Sequence, residues 1–217
     1  NKLGSGDTWT SWNSAFRNEA GLLMSFGPPR WGDLMWAFNG DDWLVLFDRR
    51  THGHITPEYI IARQMRMGFE TTCVQARDDT DVEFCQCIPY PVNGRVVWGP
   101  KILRTLSRLP WALVGSKQDP RGVAKGMLVA CSHVPFLSDY LHHVIRLVPD
   151  HVKAVVYEYR LGAVDMLRPA SDTLAFVHAR YGLSQDDLVA FQRLIQGAEL
   201  GQILAWSPLT EKLAMDD

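Results

Sequence analysis

Two Asn-Gly pairs, each set between runs of large apolar residues, constrain this chain more than any other feature. They lie in LMWAFNGDDWLVLF (34–47) and VEFCQCIPYPVNGRVVW (82–98). Asn-Gly tolerates the positive φ angles of a type I′ turn, and Leu, Trp, Phe and Val suit strands, so each segment predicts a β-hairpin. Pro89 and Pro91 assign the second hairpin an edge position, because proline has no amide to give to a ladder. Helical signals surround both. Trp12, Phe16, Ala20, Leu23 and Met24 recur at helical spacing over 8–26, and Gly27-Pro28-Pro29 stops the run. Thr56-Pro57-Glu58 supplies a cap, a first-turn proline and a first-turn acid for a helix through Met67, closed by Gly68.

After Gly99 strand signals fade and helical ones dominate. They run over 122–147 with breaks at Gly126 and Pro135, over 170–181, and over 184–196, where Ser-Gln-Asp-Asp reads as an N-cap with first-turn acids. The chain therefore divides near residue 98 into an α+β part and a mostly helical part, with no internal repeat. At 217 residues and 47% hydrophobic, it is long enough to build substantial cores. No apolar run reaches the roughly 18 residues of a membrane span and no signal segment opens the sequence, so a soluble segment is expected. Four cysteines (Cys73, Cys85, Cys87, Cys131) are too few and too uneven for a disulfide framework and suit a reducing, cytosolic setting. The missing initiator Met suggests a piece of a longer protein.

The first hairpin carries Asp41 and Asp42 at its tip. Two adjacent carboxylates repel each other, and a divalent cation compensates them; hard oxygen donors select Mg²⁺ or Mn²⁺. One or two such ions, about 3.5 to 4 Å apart when paired, activate a hydroxyl and neutralise a leaving phosphate in phosphoryl-transfer sites. Asn-Gly-Asp-Asp is equally an ordinary solvated turn. Its context decides between these readings. Upstream, Ser5-Gly6-Asp7-Thr8-Trp9-Thr10 leads into the first helix; its Gly lets backbone approach a ligand and its hydroxyls can meet ribose or phosphate, or it is simply a helix cap.

In the order loop, helix, acidic hairpin, these segments resemble motifs B and C of viral RNA-dependent RNA polymerases. Gly68-Phe69 and then Glu83-Phe84-Cys85-Gln86 are similar to motifs D and E of the tombusvirus-like branch of positive-strand RNA virus polymerases. GMLVACSHVPFLSDYLHHVIR (126–146) and RYGLSQDDLVAFQRLI (180–195) are similar to its thumb segments. The resemblance implies an α+β fold: palm over 1–98 without motif A or the fingers, and a helical thumb over 99–217. It further implies that Asp41 ligates Mg²⁺ (or Mn²⁺) with Asp42 as an accessory acid. Ser5 and Gly6 form a mobile loop at nucleotide and template, and Thr10, with Asn13 or Ser14, reads the incoming sugar. Phe84, Cys85 and Gln86 steady the primer. The implied partners are an RNA template with its primer or product, nucleoside triphosphates and other viral replication proteins. The implied place is host cytoplasm, at membrane-associated replication complexes reached through regions outside this segment.

Three features depart from the family pattern. The motif B Asn falls at 13, where the pattern puts it at the position held by Ser14. No lysine follows Gly68-Phe69, and Arg77 is the nearest cation downstream. The motif A aspartate is expected before residue 1, so residues 1–217 alone are expected not to polymerise.

Local charge adds a basic stretch to a chain of net charge -2. Between residues 93 and 128, seven cations (Arg95, Lys101, Arg104, Arg108, Lys117, Arg121, Lys125) face one acid, Asp119. Lys101, Arg104 and Arg108 recur at helical spacing, with Trp98 and Trp111 near, which suits a stripe along RNA phosphates or a solvated basic face. Cys85-X-Cys87 with Cys73 lacks the second ligand pair of a zinc site. His52-Gly-His54 reads as a turn, His142 and His143 point to different sides of a helix, and the tryptophans read as core. Two further functions keep part of this pattern: a non-catalytic, polymerase-like RNA-binding module, and an unrelated metal-dependent nucleotidyltransferase or nuclease using Asp41 and Asp42.

Overall fold

The computed structural model describes residues 10–26, 34–115, 120–148 and 166–199, with positions 208 and 211. Ser5 and Gly6, as well as Lys117 and Asp119, lie outside the described residues. Among those described, the fold is α+β: eight α-helices and two antiparallel two-stranded hairpins. None of these helices is long and apolar enough to cross a membrane. The chain forms two compact units, 1–78 and 79–217.

The first unit contains α1 (Thr10–Phe26), β1 (Leu34–Asn39), β2 (Asp42–Phe47), the single turn α2 (Arg49–His52) and α3 (Pro57–Arg66). Leu34 pairs with Phe47, Trp36 with Val45 and Phe38 with Trp43, and these alternate residues form the more covered face of the hairpin. An isolated hairpin is marginal in water, so this face needs a partner. Helix α1 supplies it: the Phe26 and Phe47 rings lie 6.0 Å apart, and Leu22 and Leu34 are buried. Thr56 caps α3 by accepting the Tyr59 amide at 3.2 Å. Gly68 takes φ +83° just past the end of the helix, the left-handed conformation glycine adopts without steric cost. Helices α1 and α3 approach closely at Gly21, where a Cβ would sit 2.6 Å from Nε2 of the buried Gln64. Arg63 donates to the Met24 carbonyl at 2.9 Å, satisfying an acceptor at the C-terminal end of α1.

The second unit opens with a 3₁₀ turn, Asp79–Asp81, followed by β3 (Cys87–Val92) and β4 (Arg95–Pro100). Five helices follow: α4 (Ile102–Gly115), α5 (Pro120–Cys131), α6 (Leu137–Leu147), α7 (Ser171–Tyr181) and α8 (Gln185–Gln196). Asn93 and Gly94, at φ +53° and +74°, make the expected I′ pattern. Val92 and Arg95 flank the turn, so Pro91 (opposite Val96) and Pro89 (opposite Trp98) occupy pairs that exchange no ladder hydrogen bond. Their missing amides cost the ladder nothing.

Ile88, Tyr90 and Val92 alternate inward and are buried against the helices. Tyr90 is the hub of this core. It is 0% exposed, its hydroxyl donates to the Pro100 carbonyl at 2.9 Å, and its ring meets His133 and Phe176 edge-on, each at 5.6 Å. Of the two breaks expected within 122–147, the one at Pro135 is present, where the chain turns at 132–136 between α5 and α6, whereas α5 runs through Gly126 unbroken. Ser184 caps α8 by accepting the Asp187 amide at 3.2 Å while Asp187 accepts the Ser184 amide at 2.7 Å.

Helix α7 also clasps the β3–β4 turn. Asp172 accepts from the amides of Asn93 (3.2 Å), Gly94 (2.9 Å) and Thr173 (2.9 Å), and Thr173 donates its hydroxyl to the Pro91 carbonyl at 2.5 Å. The Gly94 amide, foremost, holds the Asp172 carboxyl below its ordinary value of 3.8. A carboxylate with a depressed folded-state pKa adds stability above its unfolded value, and this is lost as pH falls through the folded value. Asp172→Asn is therefore expected to melt lower than wild type at neutral pH, and the gap is expected to narrow as pH drops below about 4. Parallel melting curves at pH 7 and pH 3 check this; a gap that is constant with pH rejects it.

Candidate functional site

The acidic tip is built by a two-residue turn. Asn39 pairs with Asp42, leaving Gly40 and Asp41 as the central residues, and of these only Gly40 has positive φ, +64°. That is the type II′ pattern, one residue along from the expected Asn-Gly-centred I′ turn. An Asn39-Gly40 centre would draw Asp41 and Asp42 into the ladder opposite Phe38 and Ala37. The observed register keeps Asp41 in the turn, gives Asp42 the small polar Asn39 opposite, and adds the Leu34–Phe47 pair. Both carboxylates are exposed.

The turn does not stand alone. Asn18 of α1 donates its side-chain amide to the Gly40 carbonyl at 3.0 Å across 22 residues of sequence. Nothing in local pattern singled out Asn18; the contact needs the hairpin folded back on the helix. Helix α1 is regular from Thr10 onward, so Ser14 lies one turn before Asn18 along the helix, whereas position 13 is rotated from 14 by about 100°. The half-buried Ser14 thus shares the stripe that reaches the acidic turn, and position 13 does not.

Two carboxylates fit a hard divalent cation in kind. Mg²⁺ binds through one or two protein carboxylates and completes its shell with water and phosphate oxygens. Among the described residues, no three of His, Cys, Asp and Glu come together to hold a metal. Gly68 and Phe69 end α3, with the Phe69 amide donating to the Gln64 carbonyl at 3.0 Å.

In the second unit, Phe84-Cys85-Gln86-Cys87 forms a tight turn of its own, so β3 begins at Cys87 and not at the expected Val82. Phe84 and Cys87 exchange both backbone hydrogen bonds at 2.9 Å, and Cys85 and Gln86 take φ +52° and +64°. This is a type I′ pattern without glycine, and each such residue costs about 1–3 kcal/mol that the surroundings must supply. Gln86 is exposed and Cys85 half-buried, while the Phe84 ring meets Trp98 at 6.1 Å. Burial, and secondarily the Cys85 thiol, pushes the Cys87 pKa up.

The three cations expected in a stripe differ in their surroundings. Lys101 is 6% exposed, and its ammonium pairs with Glu83 at 2.6 Å. Arg104 is half-buried on α4 and Arg108 exposed. His142 is exposed and His143 buried on the next position of α6; burial, foremost, lowers the His143 pKa, as it does for His133.

Comparison with the known protein families and with the curated proteins finds no match to this chain.

Proposed function

We propose that this chain is part of a viral RNA-directed RNA polymerase of the tombusvirus-like kind, with palm segments over 1–98 and thumb over 99–217. One observation carries the reading: the helix that follows Ser5-Gly6 holds, through Asn18, the very turn that displays Asp41 and Asp42. Helix and acidic hairpin are thus neighbours in space as well as in order. The tight Phe84–Cys87 turn downstream supports it, since a strained turn presenting one exposed and two half-buried side chains suits a contact with an RNA end.

In this reading Asp41 holds Mg²⁺ or Mn²⁺ with Asp42 beside it. The metal, when bound, favours the ionised 3′-hydroxyl and the departing pyrophosphate. The primer 3′-hydroxyl gives its proton to solvent and its oxygen attacks the α-phosphorus of a nucleoside triphosphate; a P–O bond forms to the primer, the α–β bridging bond breaks, and pyrophosphate leaves. Thr10 and Ser14 read the sugar of the incoming nucleotide in place of an amide at position 14. Phe84 and Gln86 steady the primer end. Arg104 and Arg108 carry the phosphate contacts, with Lys101 engaged at Glu83.

The test is template-dependent incorporation of labelled nucleotides onto a primed RNA by the full-length protein, with and without Mg²⁺. Product that ignores the template sequence removes the polymerase reading. Binding of primed RNA without incorporation favours the non-catalytic module. A second measurement addresses the thumb. Joint Arg104→Glu and Arg108→Glu substitution is expected to weaken RNA binding uniformly across sequences and to lower the slope of log K against log salt by about two. An unchanged slope removes these residues from the RNA path.

A further inference from the structure

We propose that Glu83 is a positioning residue: through Lys101 and Arg180 it holds the Phe84–Cys87 turn in the conformation that meets the RNA primer end. The proposal rests on the reading of that turn as an RNA contact. The side chains of Lys101 and Arg180 are 7% and 8% exposed, and Glu83 takes one with each carboxylate oxygen: Lys101 Nζ on Oε2 at 2.6 Å, and Arg180 on Oε1. Lysine and arginine are rarely buried to this degree unless paired. Arg180 also donates to the Thr80 carbonyl and lies over the Tyr181 ring at 5.4 Å. One carboxylate is thus fixed from two sides, by the residue preceding α4 and by the last turn of α7.

Its place in the chain gives this network its role. Glu83 immediately precedes a turn whose two central residues both have positive φ and neither of which is glycine. On the far side, Cys87 enters the β3–β4 ladder opposite Pro100. On the near side, Val82 makes a long 3.4 Å bond to the Asp79 carbonyl, and the strong anchor is the Glu83 carboxylate. A turn disfavoured by its own residues persists where its surroundings over-determine it. Glu83 supplies that determination on the side the ladder does not reach.

Amide hydrogen exchange on the full-length protein tests this. Glu83→Gln is expected to speed exchange at the Phe84 and Cys87 amides at least tenfold and leave Ile88 and Tyr90, within the ladder, unchanged. It is expected to weaken primed-RNA binding by a similar factor. Adding Gln86→Gly is expected to restore slow exchange at Phe84 and Cys87, because glycine takes φ +64° without a Cβ clash. A variant that merely leaves two buried cations uncompensated gains nothing from that glycine. If Glu83→Gln does not fold, Glu83→Asp is read by the same criteria, its shorter arm unable to span both cations. Unchanged exchange at Phe84 and Cys87 overturns the proposal. So does faster exchange that spreads through β3–β4 and ignores the glycine, or a loosened turn that binds primed RNA as wild type does. Template-directed incorporation by the wild-type protein judges the polymerase reading separately.

Discussion

Asp41→Ala in the full-length protein is expected to lower template-directed nucleotide incorporation by about a thousandfold, and to leave the melting temperature nearly unchanged. The first half follows from what a metal ligand does: a cation held at the reacting phosphate stabilises charge that develops only in the transition state, and losing such stabilisation costs roughly 10²–10³ in rate or more. The second half follows from position. Asp41 is exposed at the centre of a two-residue turn, and surface changes away from buried features stay within about 0.5 kcal/mol. Asp42→Asn is expected to reduce incorporation less, because Asp42 sits in the strand opposite Asn39 and not at the tip. Primer extension under saturating Mg²⁺, beside thermal melting of the same samples, checks both statements. Equal extension by wild type and Asp41→Ala sinks the metal assignment; loss of activity together with unfolding would make Asp41 a structural residue.

The largest effect on stability is expected at Tyr90. Tyr90→Ala removes a 0% exposed ring that touches His133 and Phe176, and it leaves the Pro100 carbonyl without its donor. Truncating a buried aromatic to alanine costs about 3–5 kcal/mol, a large share of the roughly 5–15 kcal/mol that holds a domain folded. Tyr90→Phe keeps the ring and loses the hydrogen bond, so it is expected to cost only about 1 kcal/mol. Urea unfolding followed by tryptophan fluorescence measures both. A loss at Tyr90→Ala no greater than at Tyr90→Phe would show that the ring's contacts contribute little. The site is crowded as well as filled: a Cβ at Gly99 would lie 2.7 Å from His133 Nε2 and 2.9 Å from Tyr90 Cε2. The neighbours of Tyr90 therefore have little freedom to close over a cavity.

Much of the local structure is legible in residue order, because its causes lie within a few residues. Thr56-Pro57-Glu58 and Gly68 bracket α3, Ser184 with Asp187 opens α8, and Asn93-Gly94 turns the second hairpin as an I′ pair must. Legibility fails where causes are remote or a local rule is broken. Helix α4 passes through Pro110, whose missing amide interrupts the helical signal. The first hairpin turns on Gly40-Asp41 because the ladder's cross-strand pairs, not the Asn-Gly dipeptide, set its register. The Phe84–Cys87 turn was hidden inside a strand-like run, since Cys and Gln carry no preference for positive φ.

The α+β character, the two hairpins, the main helix starts and a pair of adjacent carboxylates at the end of the first hairpin follow from turn chemistry and side-chain periodicity alone. That Asn18 grips the acidic turn, that Asp172 clasps the β3–β4 turn from 78 residues away, and that Lys101 and Arg180 both turn in to Glu83 depends on the folded chain as a whole. These are contacts between groups that have no local reason to meet. They form because packing of the apolar faces brings them together, and because a buried polar or charged group must then find a partner.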